Sequence, residues 1–213
     1  GKDSINSIND SFLFDKEIIA SLFLGEHLNN KRKNKELFDF QITACIDQLI
    51  GRNEIDLKSK KTLVILCSTK GNIDLLAAGN YDVFSSTTKG LKQKYQLGND
   101  VLVISNACVS GGSGLLLGSR LIESEEYNDV LVVGADLVSK FVLNGFNSFM
   151  ALSPSKCKPF DKERVGLNVG EGAACIWLSK ELNSSFPVRV KSVTSSNDAN
   201  HISGPHREGE GVY

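Results

Sequence analysis

Short apolar runs alternate with segments of helical periodicity along most of the chain. From residue 36 to residue 50 the apolar residues recur at helical spacing, and Gly51 follows where a helix commonly ends. Apolar runs predict strands, and the segments between them predict helices. The predicted strands are Thr62–Cys67, 101–104, 129–134, 173–178 and 188–193, and the further predicted helices are Ile73–Ala78, 87–96 and 112–123. Such alternation is typical of an α/β protein with a mainly parallel sheet and helices on its faces.

Two parts of the chain follow this pattern less clearly. Residues 135–166 contain Gly145 and Gly166 and predict an irregular region. Near the N-terminus, apolar residues predict an amphipathic helix packed on the core, with His27 at the surface. These residues are Phe12, Leu13, Phe14, Ile18, Ile19, Leu22, Phe23 and Leu24.

The composition excludes several classes of protein. The chain has 213 residues, 41% of them hydrophobic, and a net charge of -1, so it can bury a sizeable core but has no general attraction for nucleic acid or an anionic membrane. The apolar runs are too short for a membrane span, and we expect the basic clusters at 31–35 and 58–61 to be solvated. The five cysteines show no zinc-ligand spacing, and their odd number indicates a reducing cytoplasm and no bound metal.

One cysteine lies where a predicted strand breaks into a glycine-rich helix. Cys108 follows the apolar run 101–104, which predicts a strand buried on both faces, and Gly111, Gly112 and Gly114 come directly after it. At a helix N-terminus, backbone N–H groups and the helix dipole favour the thiolate over the thiol. The position therefore indicates a nucleophile, and the alternative is a cysteine that fills a small buried site.

Further motifs follow the segment 106–111 in a fixed order. They are 131–136, Gly145 and Phe146, 149–154, 157–161, Arg164, Gly166 and 170–173. Together they resemble the β-ketoacyl-acyl-carrier-protein synthases, in the elongating branch of these condensing enzymes. The resemblance is strongest over residues 101–178 and continues more weakly toward residue 212.

The resemblance implies a fold and a domain organisation. The expected fold is a thiolase-like layered α/β sandwich made of two similar halves, of which this chain holds one. Residues 1–35 form a divergent N-terminal segment. Residues 36–213 form the β-ketoacyl synthase N-terminal domain, truncated before the C-terminal half.

The resemblance also implies a reaction. Cys108 would accept an acyl chain from a phosphopantetheine thioester, and decarboxylation of a malonyl thioester would then supply the carbanion for a Claisen condensation in fatty-acid or polyketide-like synthesis. The backbone N–H of Cys108 would form part of an oxyanion hole. The implied partners are an acyl carrier protein, acyl and malonyl thioesters, and a second subunit in a homodimer or heterodimer. No cofactor is implied, because the substrate carries the phosphopantetheine.

The resemblance assigns further residues to substrate binding. Phe146, Phe149 and Met150 would line an acyl tunnel or a dimer interface, with core packing as the alternative, and His201 would lie near the substrate entrance. Small residues at Ala107, Gly111 and Gly112 would leave room for the acyl chain, and close helix packing is a second use for these glycines. We expect a set of charged residues mainly to support an irregular loop. These are Lys158, Asp161, Arg164 and Glu171.

The chain departs from the family in its histidines. The family carries two catalytic histidines in motifs that do not occur here, where the histidines are His27, His201 and His206. This leaves two alternatives to a condensing enzyme. One is a non-catalytic partner or carrier-protein-binding module, and the other is a simple acyltransferase or thioester hydrolase that uses Cys108 alone.

Overall fold

The computed structural model describes residues 5–8, 18–22, 26–181, 188–198, 206 and 208–212. The strands are β1 (Ile5–Ile8), β2 (Ile18–Ser21), β3 (Thr62–Cys67), β4 (Leu102–Ile104), β5 (Asp129–Asp136) and β6 (Gly172–Ser179). The α-helices are α1 (Glu26–Lys33), α2 (Leu37–Ile50), α3 (Ser85–Tyr95), α4 (Ser110–Glu123) and α5 (Lys140–Ser148). Short 3₁₀ helices cover Ile73–Ala78, Ala107–Val109 and Glu210–Val212.

The main sheet has four strands in the order β4, β3, β5, β6. Strand β3 pairs in parallel with β4 on one side and with β5 on the other, whereas β6 pairs antiparallel with β5. The parallel pairs require crossover connections, which α3 and α4 supply. The prediction of an α/β fold, a mainly parallel sheet with helices on its faces, is confirmed.

Strand β3 forms the centre of the core. All six of its residues are buried, and the five from Leu63 to Cys67 alternate between two hydrophobic clusters on opposite faces of the sheet. Val64 and Leu66 pack in the cluster that holds the apolar side of α2. Ile65 and Cys67 pack in the cluster beneath α4. The sheet is therefore covered by helices on both faces, as its uninterrupted apolar sequence predicts.

The N-terminal elements are attached to the end of the sheet from which β6 begins. Strands β1 and β2 form an antiparallel pair, and Ser21 of β2 bridges Gly170 just before β6. Helix α1 contributes Arg32, whose buried guanidinium pairs with the buried carboxylate of Glu171. Both links fix the segment that leads into β6.

Several predicted elements differ from the structure. Residues Ile18–Ser21 form strand β2 and not a helix, because they pair with β1, while Phe12, Leu13, Phe14, Phe23 and Leu24 lie outside the described residues. The predicted strand 188–193 is irregular and Val188 is 92% exposed, and no described strand pairs with it. Helix α5 lies in the region that was predicted to be irregular.

Strand β4 also departs from its prediction. It is the edge strand of the described sheet, has three residues, and leaves Val103 exposed, so it is not buried on both faces. An apolar run of four residues does not distinguish an edge strand from a central one, since each can be apolar on both faces.

Candidate active site

Cys108 lies in the turn that joins β4 to α4. The strand ends at Ile104, Cys108 is the middle residue of the 3₁₀ helix Ala107–Val109, and α4 begins at Ser110. The Cys108 side chain is exposed. The alternative that this cysteine fills a small buried site is therefore wrong, and the thiol is open to a reactant from solution.

The backbone of this turn adopts a conformation that is uncommon for an alanine. Ala107 has φ of 44°, in the left-handed region, and Asn106 before it has φ of -132° and ψ of 58°. A side chain with a Cβ atom disfavours the left-handed region by about 1–2 kcal/mol. Such conformations persist only where surrounding contacts hold them, and they occur often at functional sites.

Contacts from two neighbouring segments hold the turn in place. Ser105 Oγ donates to the backbone carbonyl of Thr69 over 3.0 Å, and the backbone N–H of Ser68 donates to the carbonyl of Ile104 over 3.1 Å. Ser110, which is 4% exposed, contributes a hydroxyl that contacts the turn from inside the protein. The turn that carries Cys108 is thus tied to the residues that follow β3.

Asp136 anchors Ser68 and Thr69, the residues that follow β3. Its Oδ1 atom accepts hydrogen bonds from Ser68 Oγ (3.1 Å), Thr69 Oγ1 (2.6 Å) and the Thr69 backbone N–H (3.0 Å). Ser68, Thr69 and Asp136 lie at the carboxyl ends of the parallel strands β3 and β5, next to Cys108 beyond the end of β4. These three residues had no predicted role, although polar residues directly after parallel strands are a signal for a site at that edge.

The glycines after Cys108 serve two different purposes. A Cβ atom added to Gly111 or Gly112 would meet no other atom within 4 Å, so both face open space beside the thiol. Gly114 is different, because its added Cβ would overlap Cys67 Sγ and lie 2.9 Å from Val132 Cγ1. The predicted close helix packing holds at Gly114, while the open space expected for a substrate lies at Gly111 and Gly112.

The residues predicted to bind substrate lie on and after α5. Phe146 is half-buried and packs against a small cluster that includes Leu143 and Val138. Phe149 is 62% exposed and Met150 is 90% exposed with φ of 54°. His201 lies outside the described residues. Phe146 therefore packs in the interior, whereas Phe149 and Met150 present apolar surface that no described residue covers.

The charged residues of the irregular loop make contacts with the loop itself and with α1. Glu171 accepts a hydrogen bond from the Val138 backbone N–H in addition to its ion pair with Arg32, and Arg164 donates to the carbonyl of Asp161 over 3.0 Å. Lys158 pairs with Glu163 at the surface. These contacts support the loop, in agreement with the structural role expected for them.

The cysteines other than Cys108 have different surroundings. Cys67 is buried, and burial raises the pKa of its thiol to about 11. Cys45 and Cys175 lie on α2 and β6 and pack against the same cluster. A hydrogen bond from Cys175 lowers the pKa of Cys45, and the same bond raises the pKa of Cys175. All five cysteines are free thiols.

The described residues contain neither a cluster suited to a metal ion nor a helix that could span a membrane. Among them, no group of three His, Cys, Asp or Glu side chains is placed to hold a metal ion. None of their helices is both long and apolar enough to cross a membrane. Of the histidines, His27 is exposed with its ring edge against Phe40, and the backbone N–H of His206 donates to Asp198.

The fold and the site together define a class of protein. It is an α/β protein with an exposed cysteine on a strained strand-to-helix turn, at the carboxyl edge of parallel strands. This arrangement presents a thiol and the N-terminus of a helix to the same volume of solvent, which suits attack on a carbonyl carbon.

Parts of the chain are similar to known proteins. Residues 90–183 match the β-ketoacyl synthase N-terminal domain. The chain is 30% identical over 130 residues to 3-oxoacyl-[acyl-carrier-protein] synthase 2 of Coxiella burnetii, a match that covers 55% of this chain and 31% of the relative. It is 32% identical over 124 residues to the protein of the same name from Rhizobium meliloti, covering 52% and 29%. The chain spans about a third of the length of these relatives.

A solved structure supports the fold. The ketosynthase of Xenorhabdus doucetiae, determined in complex with its chain length factor, superposes with a TM-score of 0.67 at 24% identity, over 97% of this chain and 57% of that one. The likeness confirms the expectation of one half of a thiolase-like sandwich. The matched segment 90–183 includes Cys108, α4, β5, the loop before β6 and the whole of β6.

Proposed function

We propose that this chain is the N-terminal part of a 3-oxoacyl-[acyl-carrier-protein] synthase-type condensing enzyme, in which Cys108 accepts the acyl chain. One observation carries the proposal: the exposed Cys108 lies on a strained turn at the start of α4, within the segment that matches the β-ketoacyl synthase N-terminal domain. The proposed domain comprises residues 36–213, after a divergent segment 1–35.

The proposed step is a thioester exchange. The Cys108 thiol loses its proton, and its sulfur attacks the carbonyl carbon of an acyl-phosphopantetheine thioester. The carbonyl oxygen becomes an oxyanion, which the Cys108 backbone N–H would stabilise. The bond between the carbonyl carbon and the phosphopantetheine sulfur then breaks, and that sulfur leaves as a thiol after taking up a proton. The acyl chain remains on Cys108.

The open space at Gly111 and Gly112 supports this assignment. Both glycines are exposed in the first turn of α4, and side chains there would narrow the approach to Cys108. Phe149 and Met150 are proposed to line the acyl tunnel or a subunit interface because they are exposed and apolar. Phe146 and His201 complete the proposed substrate-binding set.

The partners of this proposal are an acyl carrier protein and a second subunit. The curated relatives are named for acyl-carrier-protein substrates, and the solved ketosynthase is paired with a chain length factor. Strand β4 has β3 on one side and exposes Val103 at the edge of the described sheet, a position where another strand can pair. We propose a cytoplasmic homodimer or heterodimer without a cofactor of its own, and the five free thiols agree with a reducing compartment.

Acylation of the chain tests the proposal. The chain is incubated with octanoyl-pantetheine and with an octanoyl-acyl carrier protein, and intact-mass spectrometry detects the added acyl group. We expect one acyl group, lost on treatment with hydroxylamine and absent from the Cys108→Ala variant. The Cys45→Ala variant is the matched control and should acylate normally, because Cys45 packs between α2 and β6, away from the turn.

Three other outcomes would contradict the proposal. Equal acylation of wild type and Cys108→Ala would remove the nucleophile assignment. A chain that binds the carrier protein but never becomes acylated would instead be the non-catalytic partner. Steady release of free octanoate, lost in Cys108→Ala, would indicate a thioester hydrolase.

A further inference from the structure

The hydroxyl of Ser110 contacts the strained turn on both sides of Ala107. Ser110 Oγ accepts a hydrogen bond from the Asn106 backbone N–H over 2.9 Å and donates to the Ala107 carbonyl over 2.7 Å. The Ser68 carbonyl, at 3.4 Å, is a more distant acceptor for the same proton. All three partners are backbone groups, and Ser110 is buried. Water therefore has little access to replace this hydroxyl.

The hydrogen bond from the Ser110 hydroxyl to the Ala107 carbonyl determines where the Cys108 N–H points. The Ala107 carbonyl and the Cys108 N–H belong to one peptide group, and in a trans peptide the two bonds point in opposite directions. Ser110 holds the carbonyl toward the protein with its hydroxyl and also with its own backbone N–H. The Cys108 N–H must then point away from Ser110, on the side from which a reactant approaches.

The hydrogen bond from the Asn106 N–H to the Ser110 hydroxyl opposes the relaxation of Ala107. An alanine in the left-handed region returns to a commoner conformation unless its neighbours are held. The bond to the Asn106 N–H and the bond to the Ala107 carbonyl hold both neighbours from one atom. Rotation of Ala107 would turn the Ala107–Cys108 peptide and with it the proposed oxyanion donor.

We propose that Ser110 is a positioning residue, which holds Ala107 in its left-handed conformation and thereby aims the Cys108 N–H at the thioester oxygen. The proposal rests on the proposed function, since it assigns Ser110 a part in acyl transfer to Cys108. Ser110 itself touches neither the substrate nor the thiol sulfur in this arrangement.

The test compares two reactions of the same thiol. Acylation by octanoyl-pantetheine forms an oxyanion, whereas alkylation by iodoacetamide does not. In Ser110→Ala we expect acylation to slow by about tenfold to a hundredfold. A misplacement of about 1 Å costs about a hundredfold, and outright loss of an oxyanion donor about 10²–10³-fold, whereas here the donor is misdirected and not removed. Alkylation should change by less than about threefold, because the thiol stays exposed at the start of α4.

Ser113→Ala is the matched control. Ser113 lies on the same helix and accepts a hydrogen bond from the Asn106 side chain over 3.2 Å, without contacting the backbone of the turn. The acylation and alkylation rates of Ser113→Ala should both stay within about twofold of those of wild type. A general loss of helix packing would slow or speed both reactions together, so the difference between acylation and alkylation separates positioning from instability.

A second pair of variants keeps the test decisive if Ser110→Ala does not fold. The pair is Ala107→Gly and the double variant Ala107→Gly with Ser110→Ala. Glycine at position 107 makes the left-handed conformation readily accessible without help from Ser110. Acylation should then fall by less than about threefold relative to Ala107→Gly alone. A loss of tenfold or more in this background would overturn the proposed action through Ala107.

The remaining outcomes separate this inference from the proposed function. If wild type acylates and Ser110→Ala acylates at the same rate, the inference is wrong while the proposed function stands. If Cys108 of wild type is alkylated but never acylated, the proposed function fails and the inference fails with it.

Discussion

The close approach of α4 to the sheet at Gly114 gives a stability prediction that the structure makes quantitative. Gly114 is buried, and a Cβ atom built there overlaps Cys67 Sγ and lies 2.9 Å from Val132 Cγ1. Carbon atoms pack best at about 3.5–4.0 Å, so the contact with Val132 alone is roughly 0.6–1 Å too short. Both partners belong to the central strands β3 and β5, which have little room to move.

The Gly114→Ala variant should therefore lower the free energy of unfolding. Overpacking of a core by one methyl group costs about 1–3 kcal/mol, and two contacts at once place this site near the upper end of that range. The gain from replacing a helical glycine by alanine offsets about 1 kcal/mol of this cost. We expect a net loss of about 2 kcal/mol.

Urea unfolding of matched variants measures this loss. Gly90 lies inside α3, is exposed, and has no atom within 4 Å of an added Cβ, so Gly90→Ala should stabilise the chain by about 0.5–1 kcal/mol. Adding Cys67→Ala to Gly114→Ala removes the overlapping sulfur and should cost less than Cys67→Ala costs in wild type. If Gly114→Ala were as stable as Gly90→Ala, the packing argument would be refuted.

The remaining predictions concern charge and thiol chemistry. Removal of the buried Arg32 by Arg32→Ala should cost about 3–5 kcal/mol in urea unfolding, because it removes the cation that pairs with a buried carboxylate, whereas Lys94→Ala breaks an exposed pair and should cost less than about 1 kcal/mol. In peptide mapping after brief alkylation near pH 8, Cys108 should be modified and Cys67 should not, since a pKa of about 11 leaves about one thousandth of that buried thiol ionised. Burial raises the pKa of Asp39 above its usual 3.8, so the native chain holds this proton more tightly than the unfolded chain. The contribution of Asp39 to stability therefore falls as the pH rises from its usual pKa through its higher native pKa. Asp39→Asn should reduce that fall, and urea midpoints measured from about pH 4 to 7 would contradict the reasoning if the two chains changed in parallel.

Strand β3 and helix α2 could be predicted because the hydrophobic pattern of each sequence fits only one type of secondary structure. The run from Leu63 to Cys67 is apolar throughout and is found in the fully buried strand β3. The helical spacing of apolar residues between 36 and 50 is found as α2, which begins at Leu37. In both cases a single periodicity covers the whole element, so tertiary contacts reinforce the local preference.

The elements that were wrong depend on partners distant in sequence. Ile18 and its neighbours form a strand because β1 lies beside them, and an apolar cluster alone does not reveal that pairing. Helix α5 begins where Ser139 caps it by accepting from the Val142 N–H, a local signal that the surrounding glycines obscured. The edge position of β4 is a property of the sheet order, which no run of four residues encodes.

Of the residues that form the candidate site, only Cys108 was assigned its place from the sequence. Cys108 was identified from the strand, the glycines and the resemblance of the surrounding motifs. The supporting residues Ser68, Thr69 and Asp136 were not, because they come together through the parallel pairing of β3 with β4 and β5. The left-handed conformation of Ala107 was also not predicted, since alanine normally avoids it.

The order of strands in the sheet has a kinetic consequence for the turn at Cys108. Strand β3 pairs Thr62 with Asp129 and Ile65 with Leu102, so both of its neighbours come from far along the chain. Pairings between distant segments require long loops to close first, and sheets built from them form slowly. The contacts that fix the turn come from Ser68 and Thr69, directly after β3. The geometry of the turn at Cys108 therefore arises only after the sheet has assembled. Under the proposed function, the rate at which acylation returns during refolding would report the completion of the fold.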